Sequence, residues 1–403
     1  MRRDHLKKIC ILLAVCLLVL PGCSMAKQEV ISGDGPTEGE TIWDNREDPA
    51  QNNEEPKDDN QETDPAAGQD PADSEKDPDS EDEYTEYAYT ETVLDRTLTE
   101  GKFACYFLRS SMYYSSCSTS VKAGDSVLFI APDGTTLLYD VNAPLNSAYI
   151  VYALQQLGIE KLDYFVNSHP HHDHIGGFTL LARYIEIGHV YTPPAEVVYS
   201  GKTYRQYAKV FMDTVNELGI PHSYLKEGDT FQFGSDVNVK VYNPPAEGIP
   251  YEDEEKMDGN EYSLVLKFTY KDASFLVGGD VGNDAVGRGR ATEDELVAKY
   301  GSELQADVSK MNHHGKATTK SGSAGWLAAV NSKIYVGQTS EVSDEIQYYK
   351  YIATGANIFH TGLDGTVLVY TTGDGTYEVQ VEQDRYSDYY GTNDTLNGHM
   401  QVK

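Results

Sequence analysis

Basic residues are in short supply: 32 Lys and Arg face 64 Asp and Glu in 403 residues, a formal net charge of −32. A chain so anionic lacks the basic surface that displaces counterions from a nucleic acid backbone, so general nucleic-acid adhesion is excluded. A local, metal-assisted phosphate site is not. Cysteine is also scarce. Of Cys10, Cys16, Cys23, Cys105 and Cys117, no two stand in a CxxC spacing, which rules out a structural zinc ribbon. Missing too are a GxSxG nucleophile elbow and a GxxxxGK[ST] phosphate loop, so serine-based and nucleotide-driven chemistries have no support.

The apolar run Ile9–Leu20 has twelve residues, too few for the roughly 20 that a membrane-spanning helix needs. It follows Arg2, Arg3, Lys7 and Lys8 and leads into Leu20-Pro21-Gly22-Cys23-Ser24. A basic start and a short apolar core are the pattern of a secretory signal over residues 1–22. The Leu-Pro-Gly-Cys step resembles a bacterial lipobox, although Pro21 is unusual there. That resemblance implies a lipid on Cys23, a membrane held through that anchor, and a protein outside the cytoplasm. A plain cleaved signal, and hence secretion, is the competing expectation.

Residues 23–92 are expected to be a disordered acidic linker. Residues 44–83 alone hold 17 acidic and 3 basic side chains, and such a stretch cannot bury enough apolar surface to offset its ordering entropy. Residues 93–403 are expected to form one domain. Even there the chain is anionic, with 38 acidic and 23 basic residues over 101–403. Short β-rich runs are expected at 103–108, 127–132, 136–140, 162–168, 237–242, 263–270 and 273–277. Helical stretches are expected near 147–157, 178–185 and 204–218, an αβ alternation over 292–359, and a hairpin formed by 367–370 and 377–381. Paired strands interrupted by helices suggest an α/β architecture of sheets covered by helices. Cys105 and Cys117 flank a Ser- and Tyr-rich loop; a disulfide between them and two free thiols both remain open.

The most informative stretch is Asn167-Ser168-His169-Pro170-His171-His172-Asp173-His174-Ile175-Gly176-Gly177, directly after an apolar strand. Four imidazoles and a carboxylate in six positions suit zinc, manganese or iron. His169 and His171 alternate to one side of an extended segment, Asp173 continues the alternation, and His174 begins a helix. A polar histidine-rich loop with one ligand is the bland alternative, against which the spacing stands.

HxHxDH followed by Gly resembles the metallo-β-lactamase-fold hydrolases. Ser274–Asp280 looks like that family's strand ending in Gly-Asp, Lys310–Gly315 like its HHG element, and Thr135–Asp140 like the strand whose last Asp braces the histidine loop. Asn260, Ser263 and Leu264 match the branch that holds the ComEC-type DNA-uptake domains and the phosphorylcholine esterases. The resemblance implies an αββα sandwich of two mixed sheets and two divalent metals, zinc first and manganese second. It implies His169 and His171 on the first metal, Asp173 and His174 on the second, Asp280 bridging both, and His313 closing the second site. Asp140 would support the loop, and Asp173, Asp280 and His314 would take part in catalysis, His314 as a phosphate-facing donor or proton shuttle. His189 and His222 lie where the family often has a further ligand, but neither has a ligand's context. His172 fills an x position, and His360 reads as core or rim.

The implied reaction is hydrolysis of a phosphodiester or another ester by water activated between the metals. A surface nuclease, with nucleic acid as substrate only, and a non-catalytic lipoprotein that keeps the fold for binding are the alternatives.

Overall fold

The computed structural model describes residues 88–89, 93–109, 124–144, 146–194, 205–248, 259–283, 290–316, 320–339 and 348–382. Cys23 and Cys117 lie outside them, as do the signal segment and nearly all of the expected linker. Cys105 is a free thiol in a buried strand.

The strands are β1 Ala88–Tyr89, β2 Phe103–Phe107, β3 Val127–Ile130, β4 Thr136–Tyr139, β5 Lys161–Val166, β6 Glu186–Thr192, β7 His222–Tyr224, β8 Thr230–Phe233 and β9 Val237–Asn243. They continue with β10 Val265–Tyr270, β11 Ala273–Val277, β12 Val308–Lys310, β13 Ile334–Gly337, β14 Asn357–His360, β15 Val367–Thr371 and β16 Glu378–Val381. The α-helices are α1 Ser147–Gln156, α2 His172–Ile175, α3 Phe178–Tyr184, α4 Arg205–Glu217, α5 Thr292–Tyr300, α6 Ala324–Val330, α7 Tyr348–Ile352 and α8 Thr361–Asp364.

These strands form two mixed sheets, one ordered β1-β16-β15-β2-β3-β4-β5-β6-β7 and the other β14-β13-β12-β11-β10-β9-β8. The reason they face each other is visible in β2, where all five residues are buried. Phe103, Cys105 and Phe107 point into the layer between the sheets, while Ala104 and Tyr106 point into the layer beneath α1, α3 and α4. A strand apolar on both faces must be covered on both. Between the sheets the rings of Phe129 and Phe268 stack at 4.0 Å, and Phe103 meets Phe275 edge-on at 5.0 Å. A third apolar cluster, with Leu296, Trp326 and Leu327, seats α5 and α6 on the second sheet. The expected sandwich of two mixed sheets covered by helices is the observed one.

Two boundaries differ from expectation. Ala88–Tyr89 falls inside the expected linker yet pairs in parallel with β16, because an alternating Tyr and Thr stretch suits an edge strand. His222, expected in a turn after Pro221, opens β7 and pairs with Val190 of β6. The topology gathers one set of turns at one edge. The turns after β4, β5, β11 and β12 and the segment before β3 all meet there, as the contacts below show. Among the described residues no helix is long and apolar enough to cross a membrane.

Candidate metal centre

Strand β4 is followed by Asp140, whose φ of +62° turns the chain sharply. Its buried carboxylate is thereby aimed at the histidine loop. Asp140 Oδ1 accepts from the Ser168 amide at 2.7 Å, and Oδ2 accepts from Ser168 Oγ at 2.6 Å and lies 2.8 Å from His174 Nδ1. Asn167 Nδ2 donates to the same carboxylate at 3.2 Å and to the His169 carbonyl at 2.8 Å. A carboxylate on one nitrogen of an imidazole fixes which nitrogen is presented on the other side. Here Nε2 of His174 is presented, 3.2 Å from Asp280 Oδ2.

Asp280 is delivered by the turn after β11. Gly279 has a φ of +54°, and a Cβ there would lie 2.9 Å from both Ser168 Cβ and Ser263 Cβ, so only glycine fits. The Asp280 amide donates to Ser263 Oγ at 3.1 Å, and the Leu264 amide donates to the Ser168 carbonyl at 3.0 Å. Ser263 and Leu264, singled out in the sequence, thus join the Asp280 turn to the histidine loop. Asn260, in the turn before them, is largely buried.

The turn after β12 brings the two remaining histidines. His313 and His314 both have positive φ, +46° and +57°, and their rings lie 5.7 Å apart at 51°. His314 is buried, with Nε2 3.4 Å from Asp280 Oδ2 and 3.5 Å from Asp173 Oδ2. His313 keeps 16% of its side chain exposed and has Nε2 3.5 Å from Asp280 Oδ2. The His169 ring lies 4.4 Å from that of His171 and 4.1 Å from that of His174, and His169 Nε2 is 3.9 Å from Asp280 Oδ2.

Three-residue sets with ligand atoms close enough for one ion include His169, His174 and Asp280, and also Asp173, His174 and His314. Nε2 of His169, His174 and His314 and Oδ1 of Asp280 are buried without a hydrogen bond. Buried polar atoms in that state are costly unless something else satisfies them. A divalent cation is the group that would satisfy several imidazole nitrogens and a carboxylate at once, so the residues fit the metal that the sequence implied.

The electrostatics agree. Burial alone would push the Asp280 carboxyl up, but His314, His174 and His313 hold it well below the usual range. Burial would likewise lower His174, yet Asp280, Asp140 and Asp125 hold it well above the ordinary histidine value. In the same way His314 is raised to about 10, mainly by Asp280 and Asp125 against its burial. Burial lowers His313 to about 4. Without metal, protons on inward-facing imidazoles balance the carboxylates; a cation can take over that balance.

The remaining candidates lie elsewhere. His172 is 46% exposed and its ring sits 5.7 Å from that of Tyr207. His189 Nε2 is 3.1 Å from Ser223 Oγ and His222 Nε2 is 2.8 Å from Thr192 Oγ1, so both serve the β6–β7 pairing. Buried His360 accepts at Nδ1 from the Gly362 amide at 2.8 Å, capping α8. Two groups not singled out in the sequence belong to the cluster: Asp125, fully buried before β3, and Lys310, fully buried at the end of β12, 2.5 Å apart. A lysine on an otherwise buried strand, directly before Met-Asn-His-His, was the signal available for the second.

The Metallo-beta-lactamase superfamily model matches residues 122–317. The chain is 28% identical over 235 residues, 57% of its length, to "Competence protein ComA" of Neisseria gonorrhoeae, and it spans 28% of that relative's length. Among solved structures it is similar to the metallo-beta-lactamase fold protein YhfI from Bacillus subtilis (11% identity, TM-score 0.42, covering 67% of this chain and 100% of that one). It is also similar to Zn(2+)-bound PqqB from Methylobacterium extorquens (14% identity, TM-score 0.41, covering 65% and 98%). Residues 122–317, which hold the histidine loop, Asp280 and the His313–His314 turn, thus carry a metallo-beta-lactamase superfamily domain.

Proposed function

We propose that the chain is a metal-dependent hydrolase of phosphodiesters, acting outside the cytoplasm from a lipid anchor on Cys23. The observation that carries the hydrolase reading is the convergence of buried nitrogens of His169, His174 and His314 on the Asp280 carboxylate. His169 and His171 would hold one ion and Asp173, His174 and His314 a second, with Asp280 between them. Zinc is the first expectation and manganese the second, given a set of imidazoles and carboxylates without thiolate. A divalent ion held there supplies Lewis acidity toward a phosphoryl oxygen and lowers the pKa of water.

The chain's own residues supply the frame. Asp140 and Ser168 hold His174, and Ser263 holds the Asp280 turn. The geometry favours His314 over His313 as ligand, because His314 is the buried ring and contacts both Asp173 and Asp280. His313, touching Asp280 while still open to solvent, is the better placed of the two to meet a leaving group. Asp173, with 18% of its side chain exposed, lies where substrate would arrive.

The phosphodiester rests on the likeness to the ComEC-type and phosphorylcholine esterase branch through Asn260, Ser263 and Leu264. Within it, an esterase of a zwitterionic head group tolerates a body of net −15 over residues 101–403 better than a nuclease does. The competence relative favours the nuclease as a second reading. The full chain, loaded with zinc or manganese, should be assayed on single-stranded DNA and on p-nitrophenyl phosphorylcholine, with Asp280→Asn beside it. Turnover of the choline ester, lost in the variant, is the expected result. DNA cleavage lost in the variant would make it a nuclease. Metal binding with no turnover of any ester would leave a binding protein.

A further inference from the structure

Asp125 sits in the segment entering β3, and the turns after β4, β5 and β12 converge on it. Its amide donates to the Asp173 carbonyl at 3.2 Å, and its carbonyl accepts from the Asn142 amide at 2.8 Å. Its side chain is fully buried. Oδ1 lies 3.0 Å from His314 Nδ1, Oδ2 lies 2.5 Å from Lys310 Nζ, and His174 Nδ1 is 3.7 Å away. Both oxygens thus face a cationic or imidazole nitrogen, although the carboxylate also lies within reach of the Asp280–His314 and Asp140–His174 groups.

Lys310 is as constrained. An ammonium has three donors, and Lys310 sets one against Asp125 while donating the others to the carbonyls of Gly279 and Met311, each at 2.9 Å. Gly279 precedes Asp280, and Met311 opens the turn that carries His313 and His314. The Gly279 carbonyl also accepts from the His313 amide at 3.1 Å. One side chain thus joins the Asp280 turn, the His314 turn and the segment before β3. Fully buried ion pairs are costly to desolvate and often no more stable than an apolar replacement, so stability alone does not explain this pair. The parallel with Asp140 is closer. Asp140 stands 2.8 Å behind Nδ1 of His174, and Asp125 stands 3.0 Å behind Nδ1 of His314. Both imidazoles present Nε2 to Asp280.

We infer that Asp125 and Lys310 are a positioning pair for the metal centre: Asp125 orients His314 so that Nε2 faces the metal, and Lys310 fixes Asp125 relative to the Asp280 turn. This rests on the metal-centre reading above. In this role Asp125 acts on the metal through His314, and Lys310 acts through Asp125. A carboxylate behind a ligand histidine contributes about 10–100-fold in metal affinity, and that is the size of effect assigned to Asp125.

The test is metal binding by the full chain, read without any substrate. Zinc isotherms give affinity and stoichiometry, and the visible d–d band of the cobalt-loaded protein reports coordination. Asp125→Asn should weaken one of the metals about 10–100-fold and shift the cobalt band, leaving the other metal bound. Lys310→Met should do the same and lower the melting temperature of the chelated protein. The double variant Asp125→Asn/Lys310→Met leaves no buried charge alone. It should regain the melting temperature of the chelated wild type and keep the metal defect. Wild-type affinity and an unshifted band in Asp125→Asn, or in the double variant, would overturn the inference. So would a double variant as unstable as the singles, because the pair would then be a folding element. Wild-type protein that takes up no divalent metal would instead sink the metal reading itself, and that is seen before any variant is made.

Discussion

His314 and His313 are neighbours with opposite proton affinities, about 10 and about 4 in the metal-free protein, around an ordinary value of 6.5. His314 binds its proton more tightly folded than unfolded, so its contribution to stability is complete below about pH 6.5 and fades as pH rises toward 10. His313 is held neutral by burial, so the unfolded chain takes up its proton first, and stability is lost as pH falls from 6.5 toward 4. The chelated protein should therefore be most stable near pH 6.5 and weaker at both pH 4.5 and pH 9.5. With zinc bound, the alkaline loss should disappear, since metal rather than a proton then occupies the His314 nitrogen. Urea midpoints at these three pH values, with and without chelator, check it; an alkaline loss that persists with zinc would count against His314 as a ligand. Residues of this kind differ in how far they can be read from sequence. The HxHxDH spacing puts its imidazoles in one loop, so local order was enough to find them. Asp125 and Lys310 stand 185 positions apart, and only the packing of β3 beside the turn after β12 makes them a pair. The choice between His313 and His314 was equally closed, because it depends on two consecutive left-handed residues.

At the scale of elements, α5 carries the clearest consequence. Glu293, in its first turn, is fully buried, accepting at Oε1 from Asn312 Nδ2 at 2.9 Å and from the Gly322 amide at 2.8 Å, and at Oε2 from the Ser323 amide at 2.8 Å. One carboxylate thus fixes the helix, the His313–His314 turn and the entry to α6. Replacing it with alanine strands two buried donors and one part-buried one, the buried pair costing about 1–3 kcal/mol each. Glu293→Ala should lose about 3 kcal/mol or more in urea unfolding and weaken zinc binding through Asn312; an unchanged isotherm would show that the turn holds without the helix. The elements themselves were largely legible. Strand β2 announces itself by an unbroken apolar run, β10 and β11 by β-rich runs in which only Lys267, Thr269 and Ser274 are polar, and the helices by their length. Strands β7 and β8 did not, with three and four residues and mostly part-exposed side chains. Their membership is decided by neighbours in the sheet, a tertiary effect that composition does not carry. Strand β1, two residues long in a polar stretch, is the same case.

For the whole molecule, charge is the governing property. A chain of net −32 repels polyanions at long range, and the repulsion fades as the Debye length shortens from about 10 Å at 0.1 M salt to about 3 Å at 1 M. If DNA is cleaved, KM should fall as salt rises from 20 to about 200 mM, opposite to the usual behaviour of basic nucleases. KM for the choline ester should stay flat. A KM for DNA that rises with salt would reveal a basic substrate groove. Removing residues 28–83 should lower the DNA KM at low salt, since 44–83 alone carries −14, while a cut at residue 93 would also take away β1.

The turns around the centre are tied to one another by groups that need no metal: Asp140 to Ser168, Asp280 to Ser263, and Lys310 to Gly279 and Met311. Such a centre is a socket rather than a clasp. A metal held there would be exchangeable while the chain stays folded, and the ion at work would then follow the supply around the protein as much as the preference within it. An enzyme built this way would carry its environment's metal history in its activity.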